Sequence, residues 1–336
     1  MDIRPAIFVV GLLLATLAVV MCIPAIYDYA IGHADWEVFA VSAGTTFFVG
    51  VTMALTTRTN KMKVTIRHAF LITTTSWLAL TIFAALPFAF SDLDMSVTDA
   101  FFESMSGITT TGSTVIIGLD NAPPGILLWR ALLQWLGGIG IIVMGIAVLP
   151  MLQVGGMQLF RMESSDQSEK AMPRAAQIAT AIGVIYLTLT FIWVLFYWLA
   201  GMSGFDSFAH AMTTIATGGF STYDRSISHF DSALIEYIAT AGMLIGALPF
   251  ILYLRMLQGH WSCVPRDSQV QWFILFVAGL IIVMTGYLVV HTAEDPMHAL
   301  RLTSFNIVSI ITGTGYASDA ESAYVRQRTT PESGKP

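Results

Sequence analysis

The sequence is poor in the residues that most often carry chemistry. Among 336 residues there are two cysteines, Cys22 in an apolar run and Cys263 in a polar connection. They are too few and too badly placed for a disulfide framework or a zinc site. Charge is scarce as well: Asp, Glu, Lys and Arg make up 11% of the chain, and no basic stretch offers the footprint that nucleic acid requires. No ionisable groups pair at matching depth in the apolar runs with nucleophile, base or metal-ligand spacing, which speaks against a membrane-embedded enzyme. What abounds is apolar, 55% of all residues. Soluble domains cannot hide that much apolar surface. The expected fold class is therefore an all-α polytopic membrane protein, with lipid as its surroundings.

Apolar runs at 5–24 and 36–57 reach the roughly 20 residues that a helix needs to cross a hydrocarbon core of about 30 Å. The first has no small-residue cleavage site and reads as a retained helix rather than a signal peptide. Between the two runs there is no Lys or Arg, whereas Arg58, Lys61, Lys63 and Arg67 follow the second. By the positive-inside rule that connection and the amino terminus are cytoplasmic. Further runs lie at 68–90, 126–151, 177–200, 233–257 and 271–291. The connections 153–174 and 255–267 add Arg161, Lys170, Arg174, Arg255 and Arg266 to the inner side. The outer connections hold Asp92, Asp94, Asp99, Glu103, Asp120, Asp206, Asp224, Asp231, Glu294 and Asp295. These acids have two readings: a mouth that concentrates cations, or ordinary loop residues. Arg130 and Glu236, near the outer ends of their spans, are expected to snorkel to the interface.

A polar stretch interrupts this pattern three times. FESMSGITTTGST (102–114) is matched by FAHAMTTIATG (208–218) and FNIVSIITGTG (305–315), each Phe, eight residues, then Thr-Gly. The same string at 276–286 lies inside an unbroken apolar run and is coincidental. The three accepted copies each follow a full span and a polar break, with Gly-to-Gly intervals of 106 and 97 residues, the mark of internal duplication. The expected organisation is two amino-terminal helices (1–67), a first repeat (68–170), a second (171–266), an incomplete third (267–318) and a polar, disordered tail (319–336).

Within each repeat a short helix is expected to enter the membrane halfway and break at Thr-Gly, since about twelve residues rise about 18 Å. Asp99 and Asp206 suit the first turns of two of them, and Asp295-Pro296 is a cap followed by proline at the first helical position. Non-helical backbone at that depth needs cover from protein or a water-filled path. A dehydrated monovalent cation needs several oxygens in place of its water, and backbone carbonyls supply them without a fixed charge. The candidate ligands are Thr110, Thr111 and Gly112; Ala216, Thr217 and Gly218; and Gly313, Thr314 and Gly315. The glycines Gly112, Gly218 and Gly315 are expected to grant the backbone angles that such a strand requires. No covalently bound cofactor is expected.

FFESMSGITTTGST, the following WRALLQWLGGIGIIVMGIAVLPMLQVGGMQLFRMES, ATGGFST and TGTGYAS resemble the potassium-uptake transporter family of the bacterial Trk/Ktr type, and most its TrkH-type subunit. The resemblance runs from about residue 1 to Ser318. It implies four span, pore-helix, span repeats around one pseudo-fourfold ion path in the bacterial inner membrane. It also implies a homodimer, a cytosolic nucleotide-binding ring beneath, potassium as the transported ion, and a glycine in each filter segment. The sequence departs from that pattern where a second span of the third repeat and a fourth repeat would follow, and its last residues carry Arg326, Arg328 and Lys335. Three functions therefore stay open: potassium uptake through a carbonyl filter, a shortened non-conducting or regulatory partner of a full-length transporter, and a sodium-permeable transporter.

Other features have plainer readings. Gly137-Gly138-Ile139-Gly140 lies within a span and has no strand before it, so it permits close helix packing rather than dinucleotide binding. Gly242 and Gly246 form a small-xxx-small pair, and Pro249 is positioned to kink the same span. His210 reads either as a hydrogen-bonded structural residue or as a group that tunes the path when protonated.

Overall fold

The computed structural model describes residues 3–58, 66–152, 171–292 and 295–318. Lys61, Lys63, Arg161, Lys170, Glu294 and the tail from residue 319 lie outside the described residues. The described part is built from helices: α1 (Arg4–Ile31), α2 (Trp36–Thr57), α3 (Ile66–Ala84), α4 (Leu86–Phe90), α5 (Val97–Ile108), α6 (Pro124–Leu152), α7 (Ala171–Leu199), α8 (Gly204–Ile215), α9 (Ala233–Ala247), α10 (Phe250–Leu257), α11 (Cys263–Arg266), α12 (Ser268–Thr292) and α13 (Pro296–Ile311). Among the described residues six stretches can cross a membrane by length and composition, or seven if the bent pair α9 and α10 counts as one span. The all-α membrane architecture expected from composition is what the chain adopts.

Two compact units divide the chain inside α7. The first comprises Met1–Thr109, Ser113–Ile116 and Asn121–Gly183; the second comprises Thr110–Gly112, Ile117–Asp120 and Val184–Pro336.

In the first unit α1 and α2 pack through glycine. A side chain on Gly11 would begin 2.7 Å from the carbonyl oxygen of Gly50, and one on Gly50 would begin 2.8 Å from that of Gly11. Two backbones meet where neither carries a Cβ, the usual device for close helix contact in lipid. The first helix does not stop near Pro24, as the sequence pattern suggests, but runs on to Ile31 and ends at Gly32, whose φ of 76° is the left-handed cap. Proline is tolerated inside a membrane helix because neighbouring groups re-satisfy the freed carbonyl.

The indole of Trp129 on α6 is fully buried, donates to the Ala84 carbonyl at 3.0 Å, and stands edge-on to Phe39. The next residue departs from expectation. Arg130 does not snorkel: its Nε lies 2.8 Å from Glu103 Oε1, with both side chains buried. An unpaired charge there would cost more than the partner's presence does.

In the second unit the break between α9 and α10 is an 88° bend. Its cause is local. Proline pushes the preceding residue out of the helical region, and Leu248, before Pro249, has ψ of 148°. The Tyr253 hydroxyl donates to the Ile245 carbonyl at 2.7 Å, pairing an acceptor at the end of α9. Glu236 on α9 likewise fails to reach the interface: it is buried and lies 3.3 Å from the Arg301 Nε on α13. Phe276 to Gly286 falls inside the continuous helix α12, so the fourth copy of the string is indeed coincidental.

Candidate ion-conducting site

Three helices, α5, α8 and α13, share one way of starting and one way of stopping. Ser96 and Ser203 cap the first two, each accepting from the backbone N–H three residues on, at Asp99 and Asp206, and donating to that residue's carboxylate at 2.7 Å. Asp295 caps the third, accepting from Met297 and His298, with Pro296 at the first helical position. Each pairs backbone donors that would otherwise be left open.

The stops are more informative. The helices are capped by Thr109, Ala216 and Thr312. The next residue of each turns left-handed: Thr110 at φ 56°, Thr217 at 50°, Gly313 at 76°. Two residues later the backbone does so again, at Gly112 (77°), Gly219 (75°) and Gly315 (82°). Three stretches of different sequence thus trace the same path. A β-branched residue at positive φ is strained, so Thr110 and Thr217 are held there by their surroundings.

This register differs from the Thr-Gly string in the second copy. The string sets Gly218 beside Gly112 and Gly315, but Gly218 has no left-handed φ, and its neighbour Gly219 does. The physical reason is that Gly219 demands glycine twice over. A Cβ on Gly219 would strike the Thr314 carbonyl oxygen, besides having the wrong backbone angle. Repeated letters at both ends let the string slip, Phe101-Phe102 at one and Gly218-Gly219 at the other. Moved by one, Phe101, Met105, Ile108, Thr110 and Gly112 face Phe208, Met212, Ile215, Thr217 and Gly219, five identities that make Gly219 legible in the sequence.

Of the nine candidate residues, Ala216 is a helix cap and the other eight lie in these turns. Within the second unit Gly112, Gly218, Gly219 and Thr314 come together. A side chain on Gly112 would run into the Gly218 carbonyl oxygen and stand 3.3 Å from that of Thr314. Backbone carbonyls from separate segments therefore crowd one spot within the second unit, just past the carboxyl-terminal ends of α8 and α13, whose dipoles are negative there. That combination attracts a cation and repels an anion.

Side chains fix the turns from behind. Three residues before the cap, Ser106 donates to the Ser113 carbonyl at 2.5 Å and Ser309 to the Tyr316 carbonyl at 2.8 Å. In α8 the matching residue is Thr213, whose hydroxyl pairs with the Tyr316 hydroxyl at 2.6 Å. Six residues before the cap stand Glu103, His210 and Asn306. Glu103 accepts from the Thr114 hydroxyl at 2.9 Å, the His210 ring lies 2.9 Å from the Ser221 hydroxyl, and Asn306 donates to the Ser318 hydroxyl at 3.0 Å. His210 also contacts the Asp206 carbonyl at 2.9 Å and is fully buried, which is the structural role among its two readings. None of Glu103, Tyr316 and the two serines follows from the string alone.

Glycines on the spans give these helices room. A Cβ on Gly137 would collide with the Ile108 carbonyl, the last of α5, and one on Gly246 would stand 2.7 Å from the Ile215 carbonyl, the last of α8. The packing reading of both glycine motifs is the one the structure adopts.

The acidic residues divide. Glu103 and Asp206 are buried and belong to the scaffold. Asp224 accepts from the N–H groups of Gly118 and Leu119 at 3.2 and 3.1 Å and shapes a loop. Asp120 stays accessible, 3.9 Å from His229; partial desolvation and the neighbouring Asp224 push its carboxyl above the usual range. Among the described residues no His, Cys, Asp or Glu cluster of three could hold a metal ion.

Against this geometry, comparison with known proteins is specific. The family model TrkH, described as cation transport protein, matches residues 37–317. The Trk system potassium uptake protein TrkI of Halomonas elongata is 40% identical over 321 residues, covering 95% of this chain and 65% of the relative. The corresponding protein TrkH of Escherichia coli K12 is 38% identical over 333 residues, covering 95% of this chain and 67% of the relative. Among solved structures, the potassium transporter TrkH from Vibrio parahaemolyticus superposes with a TM-score of 0.88 at 36% identity, over 96% of this chain and 67% of that one. The chain thus spans about two thirds of the length of the proteins it matches.

Proposed function

The chain belongs to the TrkH family of cation transport proteins, a transporter and not an enzyme family, and from that premise we propose that it conducts potassium across the bacterial inner membrane. Its filter walls are the turns Thr110–Gly112, Thr217–Gly219 and Gly313–Gly315. The observation that carries the reading is the threefold backbone path, with positive φ at the first and third residue of each turn. Such turns set carbonyl oxygens in place of the water that a potassium ion sheds, and helix ends of negative sign favour the ion there. Potassium is the cargo, and no covalently bound cofactor takes part.

The same proposal divides the chain into amino-terminal helices at 1–67 and repeats at 68–170, 171–266 and 267–318, with the amino terminus in the cytoplasm. A second copy of the chain and a cytosolic nucleotide-binding ring are the partners it implies. Rubidium uptake into cells lacking other potassium routes tests it. Uptake from this chain, lost on Gly112→Ser, supports conduction. No uptake alone, with altered uptake on co-expression with an intact relative, replaces it by the regulatory-partner reading, and equal uptake of sodium replaces it by the sodium-permeable one.

A further inference from the structure

Glu103 is a carboxylate sealed inside a membrane protein and kept there by three donors. Its Oε1 accepts from the Thr114 hydroxyl at 2.9 Å and from Arg130 Nε at 2.8 Å, and its Oε2 accepts from the Val115 backbone N–H at 3.0 Å. Side chains of both members of the ion pair are essentially inaccessible. Thr114 and Val115 are the second and third residues after Gly112, so the carboxylate holds the strand just where it leaves the turn.

The corresponding side chains in the other two helices are not carboxylates. His210 and Asn306 each reach one hydroxyl of their returning strand, Ser221 and Ser318. At Glu103 a carboxylate–guanidinium pair joins the brace, and through Arg130 it ties the strand to α6 as well as to α5. Buried ion pairs rarely stabilise a fold better than apolar residues of similar size. What they do supply, through short charge-assisted hydrogen bonds, is fixed geometry.

We propose that Glu103 is a positioning residue for the first filter wall, and that preference for potassium over sodium depends on the strand geometry it fixes. The inference rests on the reading of Thr110–Gly112 as a filter. Two monovalent ions of the same charge differ mainly in size, so a filter discriminates only as well as its oxygens hold their places. Loosening the strand at 114–115 lets the carbonyls beside Gly112 close on a smaller ion.

The test uses the full chain in liposomes, with rubidium and sodium influx measured for wild type, Glu103→Gln, Thr114→Val and Thr114→Ser, and melting temperatures in detergent. Rubidium preference is expected to fall about tenfold in Glu103→Gln, as for the loss of one charge-assisted hydrogen bond. It falls less in Thr114→Val and stays at the wild-type level in Thr114→Ser, which keeps the hydroxyl. A folded Glu103→Gln protein with lowered melting temperature and unchanged preference overturns the proposal and leaves Glu103 a tie between helices. Should that variant fail to fold, an unchanged preference in Thr114→Val overturns it equally. A wild type without rubidium preference removes the filter reading itself, an outcome distinct from a selective wild type with an indifferent Glu103 variant.

Discussion

The hydroxyl of Tyr316 lies 2.6 Å from that of Thr213, so the residue after the third turn is held by the helix that leads into the second. It also reaches Thr214 at 3.1 Å and the His210 carbonyl at 3.2 Å. Elements 103 residues apart in sequence thus share one buried hydroxyl. Tyr316→Phe is expected to destabilise the chain by about 1–3 kcal/mol, since it leaves buried partners unpaired. Rubidium preference should drop with it. Melting temperature and influx ratio check the two parts, and a preference unchanged in Tyr316→Phe would show that the walls do not depend on each other.

Gly218 and Gly219 should respond differently to substitution. Gly219→Ala puts a methyl group on the Thr314 carbonyl and a side chain at a φ of 75°. The backbone term alone costs about 1–2 kcal/mol, and the clash adds to it. Gly219→Ala should therefore abolish rubidium uptake while Gly218→Ala retains a larger part. Uptake at matched membrane levels decides, and the reverse order would restore the register of the Thr-Gly string.

Gly137→Val should weaken the fold more than Gly140→Val. The first places its side chain on the Ile108 carbonyl, whereas a Cβ at Gly140 meets nothing within 4 Å. Overpacking of this kind costs about 1–3 kcal/mol. Thermal unfolding in detergent compares the two variants directly.

Asp120 predicts a pH dependence. Its carboxyl titrates above the ordinary carboxylate range because of partial desolvation and Asp224, so the folded state binds that proton more tightly than the unfolded chain. Stability from this group therefore rises as pH falls through the raised value and levels off below the unfolded one. Asp120→Asn should flatten that part of the melting-temperature profile and raise stability slightly at neutral pH. If Asp120 also attracts cations, the same variant lowers influx at low ionic strength and leaves it unchanged at high salt.

Much of this was written locally in the chain. Span lengths follow from composition, the Asp295-Pro296 cap from two adjacent residues, and the bend after Leu248 from one proline. Recurrence of the polar stretch announced the three similar turns, and its doubled letters Phe101-Phe102 and Gly218-Gly219 concealed the register by one residue. What a single strand of letters does not carry is partnership across distance. Arg130 looked like a snorkelling residue because its partner Glu103 lies 27 positions away, and Glu103 in turn looked like a loop acid. Glu236, whose partner Arg301 lies on another helix, misled in the same manner. Membrane depth is assigned from hydropathy, and a buried ion pair is the case in which hydropathy of each partner alone points the wrong way.

The three braces behind the turns are a glutamate, a histidine and an asparagine at one equivalent place. A channel assembled from identical subunits cannot differ in this way, since any substitution appears on every side at once. Because these turns are successive parts of one polypeptide, each can drift, stiffen or loosen while its neighbours stay as they were. Selection then acts on the three turns one at a time, in small steps, and asymmetry becomes an adjustable property of the protein rather than a defect in it.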